Sequence, residues 1–209
     1  MLKTALIVID MQRDFLDAGG YAASAGLDIS LLRKSIAPIS SLLDAARQQH
    51  MLVIHTREGH KPDLSDCIQV KLARSQQAGA EIGSQGPLGR MLVRGEYGHD
   101  FIDELQPKQG EAVIDKPGYS AFANTDLALV LQNHGIEQLI FTGVTTEVCV
   151  HSSLRDAVDR GYHCILVGDA CASAHQHLHA AALEMVGVEG GIFGKVIDTA
   201  TLLKTEMFA

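Results

Sequence analysis

Short apolar runs rich in β-branched residues alternate along this chain with longer stretches in which apolar residues recur at helical spacing. The short runs are ALIVID (5–10), MLVIHT (51–56), AVIDK (112–116), QLIFTG (138–143), HCILVG (163–168) and KVID (195–198). Runs of this length with little polar alternation read as strands buried on both faces, the mark of a parallel sheet covered by helices. Helical spacing runs through 29–48, 125–134, 148–160 and 175–187. Asp28 is placed to cap the first of these, and Gly135 and Gly161 are placed to stop the second and third. The alternation predicts an α/β fold over residues 1–209, organised as one domain.

One segment breaks the rhythm. Residues 57–99 hold glycines at 79, 83, 86, 89, 95 and 98 and no clear period. Irregular stretches of this length inside a compact domain usually shape a binding site, which is the role expected here. The glycine spacing at 83, 86 and 89 neither follows a strand nor opens a clear helix, so it does not read as a phosphate loop.

Composition narrows the partners. The chain has 209 residues, and 17 basic against 25 acidic residues give a formal charge of −8. That length suits one domain with a sizeable core. The charge disfavours a nucleic-acid backbone or an anionic membrane. Cys67, Cys149, Cys164 and Cys171 form no CxxC pair and suit reduced thiols, hence the cytoplasm. The opening MLKTALIVIDMQRD reaches Asp10 after a short apolar run without a small-residue cleavage site, and reads as a strand rather than a leader or membrane span.

Three chemically distinct residues fall at strand ends. Asp10 closes the first strand, Lys116 closes the third, and Cys149 follows the fourth. In open parallel sheets ligands bind beyond the carboxyl ends of the strands, so the three would converge. Cys149 stands where a strand hands over to a helix, and the unpaired N–H groups and dipole there favour a thiolate. The competing reading is a small buried core residue, just as Asp10 would serve as a cap and Lys116 as a surface charge. Taken together, a carboxylate would accept the thiol proton and an ammonium would stabilise the developing charge. Backbone N–H groups of Thr145 and Cys149 would complete an oxyanion site. The set predicts acyl transfer from carbon to sulfur.

The phrases IVIDMQRDF, DKPGYSAF and TGVTTEVCV, in this order, resemble the three signatures of the isochorismatase-like cysteine hydrolases. That superfamily includes nicotinamidases, N-carbamoylsarcosine amidases, ureidoacrylate hydrolases and biuret hydrolases. The resemblance covers nearly the whole chain. It implies a Rossmann-like three-layer αβα sandwich with a six-stranded parallel sheet, a catalytic triad of Asp10, Lys116 and Cys149, and a non-proline cis peptide between Val144 and Thr145. It also implies no cofactor, a homodimer or homotetramer, and a small-molecule amide with water as the reactants. The apolar surface of the 175–187 helix would serve as core or as interface. Some members replace the cysteine with glycine; this chain keeps it, which points to amide hydrolysis.

Nicotinamidases carry a metal site written Asp-x-His followed shortly by another His. Here Glu58 and His60 remain but Leu64 stands at the second imidazole. Two side chains rarely hold zinc or iron, so no metal is expected. The phrases HTREGHKPDLSD, GxxGPxGR (83–90), LVRGEYGHD and GGIFG resemble the biuret hydrolase branch, implying hydrolysis of a small linear urea-like amide. A ureidoacrylate, N-carbamoyl or nicotinamide-type amide is the alternative, and a non-catalytic binding module a more remote one. Glu189 stands where that branch has Gln; an ionised Glu only accepts hydrogen bonds and would favour a substrate presenting N–H groups, unless it points away. Tyr119 replaces a Lys and would narrow the pocket. Phe15 and Phe122 would line the pocket or the core. Arg57 and His60 would orient a polar substrate, with a surface salt bridge as the other reading for Arg57. In the run that holds His175, His177 and His179, the pair His175 and His179 stands at i,i+4 but lacks a convincing third ligand nearby, and the run reads as a solvated helix start.

Overall fold

The computed structural model describes residues 2–208. Its centre is a six-stranded sheet of β1 (Thr4–Ile9), β2 (Leu52–Glu58), β3 (Ala112–Lys116), β4 (Gln138–Val144), β5 (His163–Ala172) and β6 (Lys195–Ile197). The strand order is β3-β2-β1-β4-β5-β6, and every neighbouring pair is parallel. The chain winds outward from β1 in one direction, then returns to β4 and winds outward in the other. A crevice opens between β1 and β4 where the winding reverses, the usual ligand site of such sheets.

Five longer helices flank the sheet: α1 (Ile36–Gln48), α2 (Gln69–Gln77), α3 (Leu127–Asn133), α4 (His151–Asp159) and α5 (Gln176–Gly191). Successive β1 side chains alternate between two cores. Leu6 and Val8 pack with Ile39, Leu42, Leu43 and Ala46 of α1, while Ala5, Ile7 and Ile9 pack with Leu127, Leu131, Leu154 and Ala157. Both faces being buried is why β1 shows no polar alternation.

The strands fall where the apolar runs place them, except that β2 continues to Glu58 and β5 to Ala172. Asp28 caps a short helix, Ile29–Leu32, by accepting from Ser30 N at 2.9 Å. A 3₁₀ turn then leads into α1. Gly135 and Gly161 follow α3 and α4 with φ of 61° and 89°, the left-handed geometry of a helix stop. The stretch expected as one helix from 148 opens instead with a π-helical turn, Thr146–Val150, before α4. The irregular segment contains α2, which periodicity does not reveal because its buried residues are Lys71 and Ser75. At Gly143, φ is 109° and a Cβ would overlap the Ile9 carbonyl, so glycine lets β1 and β4 close up beside Asp10. No described helix is long and apolar enough to cross a membrane.

Candidate active site

The crevice is furnished from four strand ends. Parallel register sets Glu58 of β2 opposite Lys116 of β3. Asp10 follows β1 in a left-handed conformation, φ 51°, unusual for a residue with a side chain. Thr56 holds it there: Asp10 N donates to Thr56 O at 3.2 Å, and Thr56 Oγ1 donates to Asp10 Oδ1 at 2.6 Å. The other oxygen, Oδ2, lies 2.8 Å from Lys116 Nζ. Beyond β4 the Val144–Thr145 peptide is cis, and Thr145 O accepts from Val148 N and Val150 N, both at 3.2 Å. That turn delivers Cys149.

Lys116 is the hub. Its Nζ contacts Asp10 Oδ2, Glu58 Oε2 at 3.3 Å, Gly118 O at 3.0 Å and Cys149 Sγ at 3.4 Å. The Cys149 thiol donates to Glu58 Oε2 at 3.1 Å. Glu58 Oε1 in turn lies 2.6 Å from Lys71 Nζ, which also donates to Pro117 O at 2.6 Å. Asp10, Glu58, Lys71, Lys116 and Cys149 are all buried. Two carboxylates therefore face two ammonium groups, an arrangement that burial tolerates only because each charge is paired.

Electrostatics run against one expectation. Burial pushes the Cys149 thiol well above its ordinary range; Glu58 and Asp10 push the same way, and only Lys116 opposes them. Desolvation and the two carboxylates therefore work against the thiolate expected at a helix start, with one ammonium and a helix end opposing them. Burial also raises Asp10, against the pull of Lys116. Burial alone would raise Glu58 too, but Lys116 and Lys71 hold it at about 2. Replacing Glu58 by Gln is therefore expected to lower the midpoint pH for iodoacetamide alkylation of Cys149, by about one unit, since a carboxylate that penalises the thiolate is removed. An unchanged or higher midpoint in Glu58→Gln would contradict this electrostatic account.

Asp10, Glu58 and Cys149 bring potential metal-binding atoms within 4.8 Å of one another. Lys116 Nζ contacts all three side chains and already supplies the countercharge. His60 takes no part in this grouping; its Nδ1 lies 3.3 Å from Asp66 Oδ1.

Cys149 opens onto a cavity of about 290 Å³. Of the residues expected to meet the substrate, Phe15 and Tyr119 line this cavity, as does Thr145, expected as an oxyanion donor. The others do not. Arg57 forms an ion pair with Asp115 (2.7 Å) and reaches Asp100 (3.3 Å), so the salt-bridge reading holds for it. Phe122 is core, stacked on Tyr162 with centroids 6.1 Å apart. Glu189 is exposed at a break in α5, where Val188–Gly190 leave helical geometry, and it does not line the cavity.

Sequence reasoning missed the thiol's partner Glu58, seen only as a remnant of a metal site, and missed Lys71, Tyr21 and Arg74 altogether. Glu58 lies two residues past the apolar run read as the second strand, and only the longer observed strand puts it at a strand end, as Lys116 is at the end of the third. The α2 residues carried no signal. The first signature phrase also does more than supply Asp10. Gln12 Nε2 donates to Glu58 O (3.0 Å) and His99 O (2.9 Å), its Oε1 accepts from Glu58 N (2.7 Å), and Asp14 accepts from Leu92 N (2.9 Å). These bonds fasten the irregular segment to the end of β2.

A family model described as the isochorismatase domain matches residues 4–201. The chain is 36% identical to the ureidoacrylate amidohydrolase RutB of Serratia proteamaculans (strain 568), across 97% of this chain and 82% of that protein. It is likewise 36% identical to RutB of Pantoea ananatis (strain LMG 20103), across 82% of this chain and 70% of that protein. A solved cysteine hydrolase from Pseudomonas syringae pv. phaseolicola 1448A superposes with a TM-score of 0.81 at 28% identity, covering 97% of this chain and 91% of its own. These curated relatives are named for ureidoacrylate, so they support the superfamily without singling out its biuret branch. From the matched domain, the shared fold and these relatives, the chain belongs to the isochorismatase family and is a cysteine-type amidohydrolase acting on amide C–N bonds.

Proposed function

We propose that this enzyme hydrolyses the terminal carbamoyl group of a small ureido compound, with Cys149 as nucleophile, Asp10 as base and Lys116 as the charge that holds both. The observation that carries this reading is the chain of contacts from Cys149 Sγ to Lys116 Nζ (3.4 Å) and on to Asp10 Oδ2 (2.8 Å), at the buried end of the cavity. A thiol held protonated must lose its proton as it attacks. Of the two carboxylates, Asp10 is the better acceptor, because burial raises it while Glu58 sits at about 2. Glu58 holds the thiol in place through its 3.1 Å hydrogen bond.

In this reading Cys149 Sγ bonds to the carbamoyl carbon while Asp10 takes the thiol proton. The Thr145 and Cys149 N–H groups, with Lys116, stabilise the oxyanion. Asp10 returns the proton to the leaving nitrogen, the C–N bond breaks and ammonia departs. Water then attacks the S-acyl carbon, its proton passing through Asp10 to the departing sulfur, which restores the thiol and frees a carbamate.

The names of the relatives favour a ureido acid over biuret. Biuret rested on sequence phrases alone, and Glu189, the position at which the chain departs from that branch, lies outside the cavity. The test is ammonia release from ureidoacrylate, 3-ureidopropionate, biuret and nicotinamide, with the Cys149→Ala protein as blank. The highest kcat/KM is expected for a ureido acid; faster turnover of biuret or nicotinamide would overturn the choice.

A further inference from the structure

We infer that Arg74 receives a carboxylate on the substrate, at the end remote from the carbamoyl group, and so selects ureido acids over neutral ureas. This rests on the carbamoyl chemistry proposed at Cys149 and adds the residue that sets substrate charge.

The charges at the buried end of the cavity close on themselves. Glu58 pairs with Lys71 at 2.6 Å, Asp10 pairs with Lys116 at 2.8 Å, and the Cys149 thiol is neutral. That end offers no surplus charge for a second substrate group. The exposed end does. Lys71, Arg74, Ser75 and Ala78 stand at i, i+3, i+4 and i+7 along α2 and all line the cavity, so one helix face runs from the reacting groups to the mouth. Lys71 is buried at its inner end and Arg74 is exposed one turn further out.

Arg74 is unlike the other arginines of the chain. Arg13, Arg33, Arg47, Arg57, Arg94 and Arg160 each pair with a carboxylate. Arg90 donates to the Gly83 and Pro62 carbonyls, and Arg155 lies over the Phe193 ring. Arg74 alone has no side-chain hydrogen bond, ion pair or ring contact among the described residues. In a chain of net charge −8, an unpartnered guanidinium is thus placed on the wall of the reaction cavity. A planar guanidinium matches a carboxylate through two parallel hydrogen bonds, a fit an ammonium does not reproduce. Phe15, Tyr21 and Tyr119 line the same cavity as Arg74 and Cys149, surfaces suited to a short carbon linker. Lys71 is one turn, roughly 5 Å, from Arg74 along the helix face, so the linker is short.

The test compares 3-ureidopropionate with its neutral amide, 3-ureidopropionamide, as substrates of the wild type, Arg74→Ala, Arg74→Lys and Arg74→Glu. The ratio of kcat/KM for acid over amide is expected to fall about 10- to 100-fold in Arg74→Ala, the range of a charged hydrogen-bonded contact. It should fall further in Arg74→Glu, recover partly in Arg74→Lys, and move through KM rather than kcat. An unchanged ratio overturns the inference. Calorimetric binding of 3-ureidopropionate to the Cys149→Ser protein, with and without Arg74→Glu, reads the contact without turnover. Binding lost on charge reversal supports the role of Arg74, and equal binding overturns it. Should the wild type release ammonia from neither compound, the proposed carbamoyl chemistry fails while the calorimetric comparison still decides the place of Arg74.

Discussion

Replacing Cys149 with alanine is expected to reduce ammonia release by about 10⁴-fold or more, the scale on which nucleophile deletions act, while the fold persists. The thiol is small and only 5% exposed; it belongs to one apolar cluster through its stem, while its sulfur contacts Glu58 and Lys116, and alanine keeps the Cβ. Its loss leaves Glu58 paired with Lys71 and Lys116, and Asp10 paired with Lys116, so no buried charge is stranded. Unfolding in urea should therefore change by about 1 kcal/mol at most, the size of one modest hydrogen bond. Serine at the same position is expected to be almost as inactive, since its hydroxyl is far harder to ionise beside two carboxylates. Ammonia detection and an unfolding curve on the same preparation decide the matter. Substantial activity in Cys149→Ala would remove the cysteine from the mechanism.

Lys116→Met is expected to cost both activity and about 3–5 kcal/mol of stability, the range for deleting one partner of a buried ionic group. The lysine is fully buried and touches both carboxylates; methionine fills the space of its stem and leaves them facing each other with Lys71 as the remaining ammonium. The pH dependence distinguishes this from a packing defect. In the wild type Glu58 is depressed to about 2 from an ordinary 4.5, so its contribution is complete above 4.5 and is lost as pH falls toward 2. Asp10 is raised, so its contribution has the opposite sign and is lost as pH rises through its elevated value. Lys116 is raised as well, and its share is full below 10.5 and lost only as pH rises past that. Without the ammonium both carboxylates shift upward and protonate more readily. The deficit of Lys116→Met relative to wild type should therefore shrink as pH is lowered from about 8 to about 5. A deficit independent of pH would point to lost packing instead.

The thiol's protonation state links these two results. A sequence view of Cys149 weighs only what lies beside it along the chain, a strand end and a helix start, and that view favours a thiolate. Glu58 lies 91 residues away and donates nothing to such a view, yet it accepts the thiol's hydrogen bond. The same distance effect separates the residues that were legible from those that were not. Arg57 sits next to Glu58 in β2, but its side chain pairs with Asp115 on the neighbouring strand. Phe122 lies near Tyr119 in sequence, yet one is packed under Tyr162 and the other lines the cavity.

Local pattern alone determined the six strands, the placement of Asp10 and Lys116 at strand ends, and the Asp28 cap, because each depends on neighbouring residues and on burial of both sheet faces. Only the tertiary structure decided which charges meet. Register between β2 and β3 sets Glu58 beside Lys116, and strand order brings β1 and β4 together around them. Helix α2 belongs to the same class: its buried face is Lys71 and Ser75, so no apolar period announces it, and it becomes visible only through the carboxylate and the cavity it serves. Hydrophobic pattern reports what is hidden from water, whereas a buried charge is placed by its partner, and here every partner comes from another element.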